Sequence, residues 1–335
     1  MTGILVTGGN GFIGQHLVSK LVALGRHVRV LDVRAPHRAL PMVDYVEGSV
    51  LDKTLLHGAM AGIEEVYHLA ALPGMWRLDR TDFHVVNFIG TENVLAAARR
   101  CGVAKFMHCS TESILFGVSR PNGMAAEDVS LTVDTMPGPY TRSKMLADRL
   151  ALQAAAEGFP VIVGCPTMPI GPHDHNPTPP TAMLQHFLQP GRFQLYLDFA
   201  LNLVDVRDVA AGLVLAMEKG RIGHRYLLGG DSVPLKQVLA VMAATTGRRK
   251  VVIPVPGRLA ELAAWMIELK ANYGTRREPS ATVEGVRIAR RATALSIEKA
   301  RRELGYAPRA VQPVLQETIA HMIGTPISAA LQHAA

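Results

Sequence analysis

An eight-residue glycine-rich stretch, "TGGNGFIG" (7–14), most limits how this chain can fold. It follows the apolar run "GILVT" (3–7) and opens the helical pattern "GFIGQHLVSKLVALG" (11–25). Glycines at such a turn let the backbone approach a pyrophosphate, and the helix N-terminus faces its negative charge. The sequence therefore predicts a strand–turn–helix unit that binds a nucleotide through Gly8, Gly11, Phe12, Ile13 and Gly14.

Short β-branched runs alternate with helical patterns through the first half of the chain. Predicted strands lie at 27–32, 43–48, 64–71, 104–110 and 160–166, and two long helices at 81–102 and 139–158. This alternation is typical of an α/β fold with a doubly wound parallel sheet.

The pattern changes after Pro166, where "PTMPIGPHDHNPTPP" (166–180) is a proline-rich loop. We predict a nucleotide-binding Rossmann domain at 1–166 that also takes elements from about 200–230. Residues 167–335 then form mainly a smaller, partly interleaved C-terminal lobe that binds the substrate.

An aspartate stands where a nucleotide ribose is expected. Asp32 ends the second predicted strand, and a carboxylate there accepts hydrogen bonds from the ribose hydroxyls and repels a 2′-phosphate. NAD is therefore favoured over NADP as the cofactor. Arg34, two residues on, points the other way because it could serve that phosphate.

Tyr140 and Lys144 lie four residues apart on a predicted helix and share one face of it. An ammonium beside a phenol lowers the pKa of the phenol from about 10. A tyrosine in that setting can exchange a proton with a secondary alcohol near neutral pH. The pair predicts an acid/base site, although a surface Tyr–Lys pair has the same spacing.

Charge is unevenly distributed along the chain. Residues 219–309 carry 18 lysines and arginines against 7 acidic residues, within a net charge of +7 for the whole chain. Such a region suits an anionic small molecule, an anionic membrane surface or plain solvent. Nucleic acid is disfavoured as a partner because aromatic residues are sparse.

Several features bear on location and on membrane contact. The three cysteines stand in apolar runs and the N-terminus lacks a signal-peptide pattern, so we expect a cytoplasmic protein. The segment "RLAELAAWMIELKANYG" (258–274) is apolar almost all round. It predicts a buried helix, or else a lid over a hydrophobic substrate or a shallow membrane contact beside the basic residues.

The motifs "TGGNGFIG", "HLAA", "VNFIGTENV" and "YTRSK", in that order, resemble the extended short-chain dehydrogenase/reductases of the NAD-dependent epimerase/dehydratase family. Within it, "CSTESILFGV" and "GPYTRSKMLADR" are similar to the 3β-hydroxysteroid and sterol 4-carboxylate dehydrogenases. "PIGPHDHNPTPP" and "LNLVDVRDVAAG" resemble dihydroflavonol-reductase-like proteins and hopanoid-associated sugar epimerases. The resemblance covers nearly the whole chain.

The resemblance implies roles for individual residues. Tyr140 would be the general acid/base, Lys144 would bind the nicotinamide ribose, and Asn87 would hold the active-site geometry. The nucleotide would be lined by Ser49, Val50, Leu69, Ala70, Ala71, Pro166 and Thr167, although relatives often have an aspartate where Ser49 stands. The two long helices imply a homodimer with a seam at Ala147, Leu150 and Ala154.

Members of the family place a Ser or Thr at the end of the fifth strand to bind the substrate oxygen. Counting forward from Lys105 assigns this position to Thr111, whereas counting back from Gly117 assigns it to Glu112. We favour Thr111, because a strand fixes register while a loop absorbs an insertion. Glu112 is then a solvated loop residue, a carboxylate near Lys144 or a second acid/base.

Further candidates for substrate contact are Ser113, Met168 and His173. His173 and His175 stand in the proline-rich loop without a third spaced ligand, so no metal is predicted. The chain is expected to interconvert a secondary alcohol and a ketone on a bulky, hydrophobic small molecule of the sterol or lipid kind. The alternatives are a nucleotide-sugar epimerase or dehydratase, and an NAD-binding redox sensor without turnover.

Overall fold

The computed structural model describes residues 3–117, 124–129 and 131–324. Its centre is a seven-stranded sheet, in which each neighbouring pair of strands is parallel. In chain order the strands are β1 (Gly3–Thr7), β2 (Val28–Asp32), β3 (Val43–Glu47), β4 (Ile63–His68), β5 (Lys105–Cys109), β6 (Met124–Ala125), β7 (Val161–Pro166), β8 (Met168–Ile170), β9 (Phe193–Tyr196), β10 (Ala200–Asp205), β11 (Arg225–Leu228), β12 (Ser232–Pro234), β13 (Val251–Pro254) and β14 (Ala294–Leu295).

Helices separate most of these strands, as a doubly wound sheet requires. They are α1 (Phe12–Ala23), α2 (Lys53–Ala59), α3 (Thr81–Phe83), α4 (Gly90–Arg100), α5 (Pro139–Ala156), α6 (Pro179–Leu188), α7 (Val206–Lys219), α8 (Leu235–Thr246), α9 (Gly257–Lys270), α10 (Val283–Arg291), α11 (Glu298–Leu304) and α12 (Val311–Ile323). The predicted α/β fold with a parallel, doubly wound sheet is confirmed.

The strand order of the main sheet is β11-β7-β5-β4-β1-β2-β3. The connections reverse direction between β1 and β4, and in open α/β sheets ligands bind beyond the carboxyl ends of the strands at such a point. The inner strands carry β-branched and aromatic side chains that are buried on both faces of the sheet, among them Ile4, Val66 and Phe106. The glycine turn and the end of β5 therefore open onto the same edge.

A second, smaller core belongs to the C-terminal lobe. Strands β8, β10 and β12 form a three-stranded sheet there, and its apolar side chains pack against α6, α8 and α12. After β10 the chain returns from the small sheet to the main one, where α7 packs on α1 and β11 forms an edge strand. It then goes back to the small sheet at β12.

Two helices differ from the sequence expectation. The segment expected to be one regular helix at 81–102 contains π-helical geometry at His84–Ile89, between α3 and α4. The buried-helix interpretation of 258–274 is wrong, because α9 buries one narrow face and exposes leucine, methionine and tryptophan side chains on the other. Within the described residues no helix is long and apolar enough to cross a bilayer.

Candidate active site

The glycine turn leaves no room for side chains on its inner surface. Gly8 has a φ of 71°, and a Cβ added to it would lie 2.7 Å from the backbone nitrogen of Ala70. A Cβ on Gly14 would collide with the backbone of Gly8 and Gly9. The backbone of the loop is therefore not covered by side chains where α1 begins, at Phe12 and Ile13. A pyrophosphate needs such an accessible backbone at a helix N-terminus.

Asp32 holds the loop that would receive the ribose. Its carboxylate accepts hydrogen bonds from the backbone of Asn10 at 2.9 Å and of Arg34 at 3.0 Å. The Asn10 side chain also donates to the Arg34 carbonyl at 2.6 Å. The Arg34 side chain is exposed beside this carboxylate.

The remaining predicted nucleotide contacts line the two strand ends on either side of β1. Leu69, Ala70 and Ala71 follow β4, and the Leu69 amide donates to the Thr7 carbonyl at 3.0 Å. Ser49 and Val50 follow β3, and the Asn93 side chain donates to the Val50 carbonyl at 3.2 Å. The Leu69–Ala70 segment thus lies against Gly8 of the glycine turn, and contact of Ser49, Val50 and Ala71 with a nucleotide stays a prediction.

Asn87 lies in the π-helical segment and is almost fully buried. Its side chain accepts from the Leu72 amide at 2.7 Å and donates to the Ser143 hydroxyl at 3.0 Å. Ser143 in turn donates to the Tyr140 carbonyl at 2.7 Å. The irregular helix thus ties the loop after β4 to the first turn of α5, and π-bulges recur at functional sites for such reasons.

Tyr140 and Lys144 both project from α5 towards the end of β5. The Lys144 ammonium donates to the Cys109 carbonyl at 2.8 Å, and burial lowers the pKa of Lys144. Burial raises the pKa of Tyr140, and the neighbouring Glu112 carboxylate raises it further. The expected lowering of the Tyr140 pKa by Lys144 is therefore not found, because desolvation dominates, and the phenol stays protonated at neutral pH.

Thr111 begins a short 3₁₀ turn, Glu112–Ile114, directly beyond β5. Its hydroxyl donates to the Glu112 carboxylate at 3.1 Å and lies 3.0 Å from the Ser113 hydroxyl. Glu112 is buried, so it is not a solvated loop residue, and burial raises its pKa to about 7. The preceding Ser110 has a structural partner, since it donates to Asp148, which is ion-paired with Arg225.

Glu284 is a residue that the sequence analysis missed. It comes from α10 in the C-terminal lobe, and its carboxylate accepts from the backbone amides of Tyr140 at 3.2 Å and Thr141 at 2.7 Å. The Thr141 hydroxyl donates to it as well, at 2.7 Å. A carboxylate at this position satisfies free amides of the first turn of α5 and complements the helix dipole.

A cavity of about 240 Å³ opens beside Tyr140, between the sheet edge and the C-terminal lobe. The polar side chains around it include Thr111, Glu112, Ser113 and Thr167. Most other lining residues are apolar or small, namely Ile13, Pro73, Met75, Phe116, Pro166, Met168, Pro169, Phe199, Ile288, Ala289 and Ala292. None of the described lining residues is a lysine or an arginine.

His173 does not reach this cavity, contrary to its predicted substrate contact. Its backbone, at a φ of 66°, accepts from Gln15 of α1 at 2.7 Å and donates to His321 of α12 at 3.2 Å. It is the bend after β8 that directs the residue towards these helices. Over the described part of the chain no group of three or more His, Cys, Asp and Glu is placed to hold a metal.

The site fits a dinucleotide in two respects that depend on this geometry. The glycine turn offers bare backbone at a helix N-terminus, and Asp32 stands at the adjoining strand end. At the other end of the edge, the buried Thr167 hydroxyl has no hydrogen-bond partner among the described residues, so it is available to the nicotinamide side of a bound cofactor.

Comparisons with known proteins agree with this geometry. Residues 4–229 match the NAD dependent epimerase/dehydratase family. The chain is 30% identical to sterol demethylase protein B of Methylococcus capsulatus, over 94% of this chain and 97% of that protein. It is 34% identical to a 4-hydroxy-2-methyl-3-oxo-4-farnesyl-3,4-dihydroquinoline-1-oxide ketoreductase of Stigmatella aurantiaca, over 91% of each.

The fold is also shared with a solved UDP-glucose 4-epimerase of Thermus thermophilus in complex with NAD. The TM-score is 0.74 at 24% identity, over 97% of this chain and 100% of that one. Residues 4–229, which match the family, contain both the glycine turn and the helix that carries Tyr140 and Lys144. The chain therefore belongs to the NAD-dependent epimerase/dehydratase family of extended short-chain dehydrogenase/reductases and is an NAD-dependent enzyme.

Proposed function

We propose that this enzyme interconverts a secondary alcohol and a ketone on a bulky hydrophobic substrate, of the sterol or isoprenoid-bearing kind. The observation that carries the proposal is the cavity beside Tyr140, whose described lining is mostly apolar and contains no cation. A nucleotide-sugar substrate brings a diphosphate, which proteins bind with arginines, lysines or helix N-termini. The α6 N-terminus does line the cavity, but it begins with Pro179 and Pro180, which have no backbone N–H to donate. Two similar proteins carry sterol and farnesyl in their names, which supports the same substrate class.

The protein's own groups suit a proton transfer at the substrate oxygen. Tyr140 is protonated at neutral pH, because burial raises its pKa, and so it is a proton donor to a developing alkoxide. Thr111 adds a second hydroxyl next to it. Lys144 places a positive charge on the same helix face, where it stabilises negative charge on the phenol once the proton has left.

Bound NAD supplies the hydride acceptor or, in its reduced form, the donor. We propose that the glycine turn holds its pyrophosphate, that Asp32 holds its adenosine ribose and that Pro166 and Thr167 border its nicotinamide. Because a carboxylate at Asp32 repels a 2′-phosphate, NADH is expected to bind more tightly than NADPH in fluorescence titrations. Tighter binding of NADPH would contradict the assignment and point to Arg34.

The test of the proposal is consumption of NADH with a sterol ketone in detergent micelles, followed by absorbance. Tyr140→Phe serves as the inactive control, since it keeps the ring and removes the acid. The same preparation is offered UDP-glucose, with epimerised product measured by chromatography. Epimerisation of the sugar without turnover of any hydrophobic ketone would replace the proposal with the nucleotide-sugar epimerase alternative.

A further inference from the structure

Helix α9 exposes an apolar face that the active site does not use. The members of this face are spaced by three and four residues, so they share one side of the helix and of the π-helical turn that continues it. Their exposed fractions run from 42% at Leu269 to 85% at Tyr273. We call this set the α9 face: Leu259, Leu262, Trp265, Met266, Leu269 and Tyr273.

The opposite side of the same helix is fixed to the protein. The buried residues are Ala264, Glu268 and Ala271. The Glu268 carboxylate accepts hydrogen bonds from the Arg80 side chain at 2.8 Å and from the Val283 amide at 2.8 Å. The Trp76 indole donates to Asn272 at 2.9 Å. The apolar residues are therefore presented outward by a helix whose orientation is set from behind.

Most exposed charges around the α9 face are basic, although Glu278, which follows Arg277, is exposed as well. Arg258, Lys270, Arg276 and Arg277 are exposed, and within the described ranges they show no ion pair. The acidic residues of the helix are engaged elsewhere, since Glu268 pairs with Arg80 and Glu261 pairs with Arg287 and Arg290. Apolar side chains flanked by free cations match a bilayer surface that contains anionic lipid.

A second copy of the chain fits this surface less well. A symmetric contact between two α9 faces would bring the same unpaired cations of both copies together, at a cost in like-charge repulsion. A lipid surface instead offers negative charge to the cations and acyl chains to Trp265 and its neighbours.

The helix also lies directly behind the substrate cavity. It packs along α10, in which Ile288 and Ala289 line that cavity, as does the following residue Ala292. The Pro73–Met75 segment on the cavity wall is followed by Trp76, which is hydrogen-bonded to Asn272 in the π-helical turn after α9. We propose that the α9 face docks the enzyme on an anionic membrane surface, with the cavity held close to the lipid from which a hydrophobic substrate comes. The second half of this statement rests on the proposed function.

The test is co-sedimentation of the full-length chain with two kinds of vesicle, phosphatidylcholine alone and phosphatidylcholine with phosphatidylglycerol. We expect binding to the anionic vesicles that weakens with salt. In the double variant L262E/M266E that binding falls by roughly tenfold or more, because two carboxylates replace apolar groups that enter the lipid. The matched control is Ile222→Glu on the turn before β11, since Ile222 and Leu262 are both 53% exposed, and it keeps wild-type binding.

A double charge-reversal variant tests the electrostatic contribution to vesicle binding. R276E/R277E is expected to lose anionic-vesicle binding, with thermal unfolding and NADH binding unchanged in every variant. Equal binding of wild type and L262E/M266E to vesicles overturns the proposal. So does a wild-type oligomer that L262E/M266E dissociates in sedimentation velocity without any vesicle binding, which would make the face a contact between copies.

The two proposals fail in distinguishable ways. If vesicles bind but no hydrophobic ketone consumes NADH, the proposed function is wrong and the docking surface stands. If ketone reduction in micelles is normal and L262E/M266E binds vesicles like wild type, the docking surface is wrong and the function stands.

Discussion

Thr111 stands where the chain passes from β5 into the cavity, with its hydroxyl between Glu112 and Ser113. If it stabilises the substrate oxygen in the transition state, Thr111→Ala is expected to lower kcat by roughly 10²–10³, about 2–4 kcal/mol. Thr111→Ser keeps the hydroxyl and most of the activity. Steady-state kinetics measure both, and Tyr140→Phe is expected to be more severe than Thr111→Ala because it removes the proton donor itself.

Glu112 makes the direction of the Thr111 hydrogen bond dependent on pH. When ionised, it takes the Thr111 hydrogen; when protonated, it can donate to Thr111 and leave that hydrogen for the substrate. Because the pKa of Glu112 is raised to about 7, wild-type kcat/KM is expected to fall as the pH rises through 7. Glu112→Gln, which stays neutral, is expected to lack this fall while keeping most of the turnover.

The same substitution has a second signature in stability. The folded chain holds the Glu112 proton up to about pH 7, whereas the unfolded chain releases it near pH 4.3, so wild type loses stability as the pH rises between these values. At pH 8 Glu112→Gln is expected to be more stable by roughly 1–3 kcal/mol in urea unfolding. A dead Glu112→Gln beside a nearly normal Thr111→Ala would instead make Glu112 the acid/base and favour a dehydration.

At the scale of elements, the first turn of α5 depends on a carboxylate from α10. Glu284→Gln removes the charge at this helix N-terminus and is expected to cost about 0.5–2 kcal/mol of stability. Because Tyr140 lies in that turn, kcat is expected to fall while the dissociation constant for NADH stays unchanged. Differential scanning calorimetry and single-turnover kinetics measure the two effects.

The neighbouring carboxylate provides the control for Glu284. Glu278 is exposed, so Glu278→Gln removes the same charge from the same lobe and is expected to change neither quantity. A Glu284→Asp variant that recovers part of kcat would confirm a positioning role. Equal effects of the 278 and 284 substitutions would instead indicate a general loss of negative charge.

On the scale of the whole molecule, α4 and α5 lie side by side and form an outer groove lined by Leu95, Ala96 and Leu150. Of the predicted seam, Ala147 is fully buried within the chain and cannot reach a partner, whereas Leu150 and Ala154 line the groove. A homodimer through this groove stays a prediction. Leu150→Arg is expected to convert a micromolar dimer to monomer in sedimentation velocity, whereas Leu24→Arg, on the exposed end of α1, leaves the assembly unchanged.

Short sequence patterns were sufficient to predict those elements that are formed by residues close together in the chain. The glycine turn needs only strand, glycines and helix, and the pair Tyr140/Lys144 needs only one helical turn. Contacts between distant segments gave no such signal. Glu284 meets α5 across more than a hundred residues, and the Asn87 side chain in the π-helical turn bonds to Leu72 and Ser143, which are distant in the sequence. The position of His173 was equally unpredictable, because it depends on contacts with Gln15 of α1 and His321 of α12, which are distant in the sequence.

The bond from Glu284 to the start of α5 also bears on when activity arises during synthesis. The main sheet, its glycine turn and Tyr140 all precede residue 229, but the carboxylate that fixes the catalytic turn is translated later. A chain translated only as far as β11 contains the strands of the main sheet, the glycine turn and the Asn87–Ser143–Tyr140 hydrogen bonds, but not the carboxylate of Glu284. The first turn of α5 can therefore donate to Glu284 only once α10, in the last third of the polypeptide, has folded against it.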